Sequence, residues 1–255
     1  MDQLELSLRL QTIADYVPEG SRMADIGSDH ALLPVVLAAA GRIAHAVAGE
    51  VNEGPYQSAL RQVRKRGLES LISVRRGDGL TVLERGEADV IVIAGMGGAL
   101  ICRILEEGKD RLEGVRRLVL QPNVAEDQVR RWLKENGWML VNESIVEEDG
   151  HFYEIMAAAR EAEGKKHGDS LYGELKLPCG LVLKEDMLLK FGPLLVRSPN
   201  PVFLRKWTLE ADKLEKICKQ IEQSAAESAR SRLHSLREEV RQIREVTQCL
   251  QVDKR

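Results

Sequence analysis

The stretch Arg22-Met23-Ala24-Asp25-Ile26-Gly27-Ser28-Asp29-His30-Ala31-Leu32-Leu33-Pro34 decides the fold. Arg22–Ile26 reads as a short buried strand, and Gly27 ends it. Gly27 can take the left-handed turn that breaks the strand and lets backbone approach a ligand. A helix then runs from Ala31 to Ala40 and stops at Gly41. Working outward, the same unit recurs. Strand 44–50 leads to helix 55–65, which stops at Gly67. Strands 72–75 and 90–94, a helix from Ala99, strand 118–121 and helix 125–136 follow. Strand–helix alternation of this length implies right-handed crossovers and a parallel sheet covered on both faces. The pattern changes at Trp138. Residues 138–146 and 152–159 read as two longer strands joined at Glu148-Asp149-Gly150-His151, a hairpin signal. The expected fold is α/β: a Rossmann-like doubly wound sheet finished by an antiparallel hairpin.

A charged, glycine-containing stretch at Arg160–Asp169 marks a boundary, giving domains 1–160 and 161–255. Residues 171–202 hold four of the eight prolines and read as irregular. From Val202 a helical pattern returns. Trp207, Ala211, Leu214, Cys218, Ile221 and Ala225 keep a 4–3 spacing, and after a one-residue slip it resumes from Ala229 to Leu250. Spacing near 3.5 residues argues for a coiled-coil-like appendage, and the slip at 224–228 for a break between two antiparallel helices rather than a stutter. Trp207 reads as core of this helix pair.

The 255 residues are 44% hydrophobic and 30% charged, which excludes a disordered chain. The longest apolar run, Ala31–Ala40, is too short to span a bilayer, and acidic residues in the first twenty argue against a signal peptide. A cytoplasmic protein without a membrane is expected. Cys102, Cys179, Cys218 and Cys249 show no metal-ligand spacing, so no metal is expected and reduced thiols are the default. A net charge of −3 excludes a strongly basic chain, though a local basic face suffices for nucleic acid. Phe, Trp and Tyr make up 4%, which argues against an aromatic platform for single strands.

The candidate site residues gather at strand ends. Asp25, Gly27 and Ser28 lie between the first strand and its helix, whose N-terminal amides favour an anionic group. The later glycines of a dinucleotide fingerprint are absent, so a donor with a smaller anionic group fits better, such as the amino-acid end of S-adenosylmethionine. Glu50 ends the second strand, where a carboxylate can bond both hydroxyls of a ribose, and Val51 follows it. Asp78 and Gly79 follow the third strand, where a carboxylate can accept from an adenine amino group. Gly95, Met96 and Gly97 follow the fourth, at the expected switch point of the sheet. Gln121 and Asn123 end the fifth as candidates to hold a target base. Asp29 is read either as a catalytic carboxylate or as a helix N-cap. The run Arg61–Arg66 and the tail residues Lys213 and Lys216 are the candidate RNA contacts.

The ordered set formed by 8–14, 24–34, 48–55, 76–80, 94–98 and 120–123 resembles the TrmK family of bacterial tRNA (adenine-22 N1)-methyltransferases. The resemblance implies a class I methyltransferase domain, S-adenosyl-L-methionine as donor and tRNA as partner. It also implies methylation of an adenine N1 at position 22, and Arg9 is its matched RNA contact. Asp29 and Ala31 stand where broader methyltransferases carry glycines, which this family shares. Two other readings remain open: a small-molecule methyltransferase with the same donor residues, and an RNA-binding protein with a relict fold. A monomer is the simpler expectation.

Overall fold

The computed structural model describes residues 5–160, 171–223 and 229–252. Its contacts divide the chain into two compact units that meet in sequence at Leu171 and Tyr172. The boundary expected at Arg160–Asp169 falls on residues 161–170, outside the described residues.

The first unit opens with α1 (Leu8–Asp15), started by Ser7, whose Oγ accepts from Leu10 N. The alternating pattern then yields β1 (Ser21–Ile26), α2 (Leu32–Ala39), β2 (Ile43–Glu50), α3 (Glu53–Lys65), β3 (Ile72–Arg76), β4 (Val90–Met96), α4 (Gly98–Glu107), β5 (Arg117–Pro122) and α5 (Glu126–Glu135). The hairpin strands are β6 (Trp138–Glu148) and β7 (His151–Arg160). Seven strands form one sheet in the order β3-β2-β1-β4-β5-β7-β6. β1 to β5 pair in parallel, and β7 is antiparallel to both β5 and β6. The order reverses between β1 and β4. Their carboxyl ends therefore diverge into the crevice where doubly wound sheets hold ligands. The strands are buried on both faces, which explains their continuous apolar runs: Ile91, Val92 and Ile93 are fully buried, as are Leu118, Val119 and Leu120.

One charged group lies deep inside. Arg130 of α5 is fully buried and bonds Glu143 of β6 at 2.7 Å and Glu154 of β7. Burial works against its charge, yet the two carboxylates hold it above the ordinary arginine range. The trio ties α5 to the hairpin.

In the second unit the proline-rich stretch is more regular than expected. It holds a short pair, β8 (Leu175–Lys176) and β9 (Val182–Leu183), and then α6 (Glu185–Phe191). α7 (Pro201–Gln223) and α8 (Ala229–Val252) follow, and the phase slip at 224–228 lies outside the described residues. Arg244 pairs with Asp212 and Glu215, and Arg237 with Glu222, so the two helices run antiparallel. Trp207, Ala211, Leu214 and Cys218 of α7 are buried, as are Ile243, Thr247 and Leu250 of α8. Trp207 lies 4.4 Å from Phe191, ring centre to ring centre, as a core residue. The expectation of four reduced thiols is corrected. Cys179 and Cys249 form a disulfide across 70 residues of sequence, with Cα atoms 5.5 Å apart. Folding alone brings them together, and their sequence spacing carries no sign of it.

Candidate active site

A cavity of about 540 Å³ opens at the carboxyl ends of β1 and β4. It gathers Arg9, Asp25, Gly27, Ser28, Asp29, Gly95, Met96 and Asn123, all expected from the sequence.

The turn after β1 is built tightly. Gly27 and Ser28 donate to Gly49 O at 2.9 and 3.2 Å, binding this turn to the end of β2. Gly27 sits at φ +70°, and a Cβ there would come within 2.2 Å of the Met96 side chain. Ser28 Oγ donates to Asp25 Oδ2 at 2.5 Å. Asp25 is buried, and burial pushes its carboxyl up to about 7, with the Glu50 and Asp29 charges adding to the effect. Next, Asp29, His30 and Ala31 all take positive φ, 44°, 67° and 58°. L-residues in that region cost about 1–2 kcal/mol each, so neighbouring contacts must hold them there. The Asp29 and His30 backbone lies close enough to the Glu50 carboxylate to favour its charged form against the effect of burial. α2 therefore begins only at Leu32, with left-handed Ala31 before it and no side-chain cap. The cap reading of Asp29 is thereby corrected: its side chain is 86% exposed, at the cavity, and 3.4 Å from His30 Nε2.

Glu50 lies behind this turn and is only 6% exposed. Burial raises its carboxyl above the ordinary range. Its Oε1 atom has no hydrogen-bond partner, an expensive state for a buried oxygen unless a ligand donates to it. Gly77 N donates to Glu50 O at 2.9 Å, which holds the β3 turn beside β2. Asp78 opens that turn and is exposed; Gly79 packs against Ile104 at φ +52°. Val51 is 53% exposed. Gly97 caps α4 by its backbone, beside Val124.

Gln121 departs from expectation. It is fully buried and takes all four bonds its amide allows. Its Oε1 accepts from Arg9 Nη1 at 2.8 Å and Gly95 N at 3.1 Å. Its Nε2 donates to Pro122 O at 2.9 Å and Asn123 Oδ1 at 3.0 Å. It is a scaffold for its neighbours, with no capacity left for a base. Asn123 donates to Gly95 O at 2.9 Å and keeps one amide hydrogen and one carbonyl lone pair at the cavity. Arg9 reaches from α1 with its guanidinium over the Tyr153 ring, 5.2 Å from the centroid. Lys213 and Lys216 are exposed on α7 of the second unit.

Reading the sequence misses the far wall. His151, Phe152 and Tyr153 of β7 line the cavity. Their only signal was the hairpin itself, whose strands outlast the sheet they finish.

Among the described residues there is no metal-ligating cluster and no helix long and apolar enough to cross a membrane. A family model described as tRNA (adenine(22)-N(1))-methyltransferase matches residues 23–245. A Bacillus subtilis tRNA (adenine(22)-N(1))-methyltransferase is 47% identical over 96% of this chain and 98% of its own length. The crystal structure of the B. subtilis m1A22 tRNA methyltransferase superposes with a TM-score of 0.84 at 45% identity, covering 96% of this chain and all of that one. A Streptococcus pneumoniae structure in complex with S-adenosyl-L-methionine superposes at 0.78 with 40% identity, covering 95% of this chain and all of its own.

Proposed function

Because the chain belongs to the TrmK family of tRNA (adenine(22)-N(1))-methyltransferases, we infer how its own residues carry out that reaction. It is an S-adenosyl-L-methionine-dependent enzyme that methylates N1 of an adenine in tRNA. One observation carries the assignment of residues: the buried Glu50 carboxylate, whose Oε1 lacks a donor at the end of β2. A ribose hydroxyl supplies that donor. Asp78 and Gly79, held beside Glu50 by the Gly77 bond, then face the donor's adenine, with Val51 along its ring. Asp25, Gly27 and Ser28 take the amino-acid end, and Gly95 and Met96 floor the crevice.

When bound, the donor supplies an electrophilic methyl group on a sulfonium. The rest falls to positioning, because adenine N1 carries a free lone pair once its pairing edge is exposed. Asn123 offers one donor and one acceptor to that edge. Asp29, exposed at the mouth, places negative charge where the ring becomes cationic. Arg9 holds RNA at the rim, and Lys213 and Lys216 hold its phosphates. A tRNA substrate supports a cytoplasmic site of action, and a monomer is the simplest state for it. Incubation with tRNA and donor, followed by nucleoside mass spectrometry, tests the reading: 1-methyladenosine is expected. A product made only on small molecules would favour the small-molecule alternative.

A further inference from the structure

The β6–β7 hairpin does more than finish the sheet. β5 pairs with β7 from Arg117↔Ala159 to Leu120↔Met156. Continuing that register puts Glu154 opposite Pro122, the last residue of β5. Residues 151–153 therefore project past the carboxyl edge, paired as a strand with β6 only, through Glu148↔His151 and Val146↔Tyr153. At about 3.4 Å per residue, the tip overhangs the crevice by roughly 10 Å. The buried Arg130 bonds to Glu143 and Glu154 fix its base.

The overhang carries a row of flat groups. Arg9 lies over Tyr153, and the rings of Tyr153 and His151 are 6.4 Å apart with planes 31° from parallel. The two rings share a strand face, because residues two apart point the same way. His151 is the exposed end of the row. Its Nδ1 lies 3.0 Å from Asp149 O; a carbonyl can only accept, so Nδ1 carries a hydrogen and the ring is held in place. The row stands beyond β4 and β5, on the other half of the sheet from Glu50 on β2. It faces the crevice from the side opposite the donor residues.

We propose that this overhanging row is the stacking ledge for the target adenine, with His151 as the ring face the base meets and the Arg9–Tyr153 pair backing it. The proposal rests on the methyltransferase reading above and assigns the acceptor half of the same site. An adenine leaving its helix loses its stacking neighbours, and a ring in the crevice returns them. Stacking accepts any base face, so identity is left to Asn123 and the pairing edge.

The test uses the full chain, a tRNA transcript and saturating donor. His151→Ala should lower the single-turnover rate roughly ten- to a hundredfold while donor affinity by calorimetry stays at the wild-type value. His151→Phe and His151→Trp should restore most of the rate, which an acid–base or metal-binding role for the imidazole would not allow. With 2-aminopurine in place of the target adenine, the wild-type complex should be dimmer than the His151→Ala complex, because stacking quenches this base. A wild-type rate in His151→Ala, a His151→Phe as slow as His151→Ala, or equal fluorescence in the two complexes overturns the ledge. Wild-type protein that leaves tRNA unmethylated overturns instead the reading on which the ledge rests.

Discussion

Glu50 is a buried carboxylate beside the Asp29–His30 backbone, with an Oε1 that no protein group satisfies, and the proposed reading assigns that oxygen to the donor's ribose. Glu50→Ala should therefore weaken donor binding by about 1–3 kcal/mol in calorimetry, the usual effect of leaving a polar partner unpaired. Wild-type affinity in that variant would remove Glu50 from the ribose. Asp25 makes a prediction of a different kind. Its carboxyl titrates at about 7 in the folded chain, against 3.8 as its ordinary value. Between those two pH values the folded state keeps a proton that the unfolded chain has released, so this residue's contribution to stability falls as pH rises. In the proposed site the donor's ammonium lies beside Asp25 and favours the carboxylate, so binding should expel that proton. At pH 6.5, calorimetry in buffers of different ionisation enthalpy should show proton release on donor binding, and Asp25→Asn should abolish it. Asp29→Ala should slow single turnover more than it weakens donor binding; a full rate at saturating tRNA would leave Asp29 without a catalytic part. The place of Glu50 at the end of β2 was legible because its distance from Gly27 puts it there. Gln121 was misread for the converse reason: a polar side chain at a strand end looks free until its four bonds are counted.

Among the elements, the strands and helices of the first unit were legible because parallel strands bury both faces and glycines stop the helices between them. The Asp29–Ala31 turn was not. Three consecutive left-handed L-residues run against local preference, and only the Glu50 carboxylate and the packing of fully buried Ala31 explain them. The buried Arg130 was equally hidden, since Glu126-Asp127-Gln128-Val129-Arg130-Arg131 gives no sign of which arginine turns inward. That arginine bonds both strands of the hairpin from α5. Arg130→Ala would take from Glu143 and Glu154, each 1% exposed at the side chain, the guanidinium that both bond. Denaturant unfolding should show a loss of about 3–5 kcal/mol, the range for breaking one side of a buried pair. A loss below about 1 kcal/mol would mean that the hairpin does not depend on this trio.

At the scale of the whole molecule, the catalytic unit and the helical tail differ in charge. Residues 203–255 hold 12 Lys+Arg against 9 Asp+Glu, and the remainder 25 against 31. An acidic unit repels a polyanion, so the affinity for tRNA must come from local groups of cations. Much of the tail's positive charge is already paired: Arg237, Arg241 and Arg244 all bond carboxylates. Lys213 has only Glu210 at 3.3 Å, and Lys216 and Lys219 make no ion pair among the described residues. All three are exposed, and they follow one another at three-residue steps along α7, away from the buried Trp207, Ala211, Leu214 and Cys218. A charge run on a helix is ordinarily a solvated face; what marks this one is that its cations remain available when its neighbours are paired. Changing Lys213, Lys216 and Lys219 together to glutamate leaves the buried stripe untouched, so the helix pair should stay folded and donor affinity should not move. If each lysine neutralises a phosphate, the slope of log affinity against log salt should shrink by about 0.7–0.9 per lost contact, and tRNA binding at low salt should fall most. Gel-shift titration at two salt concentrations measures both quantities. A folded triple variant with unchanged affinity and slope would clear α7 from the RNA surface and leave Arg9 and the Arg61–Arg66 run to supply it.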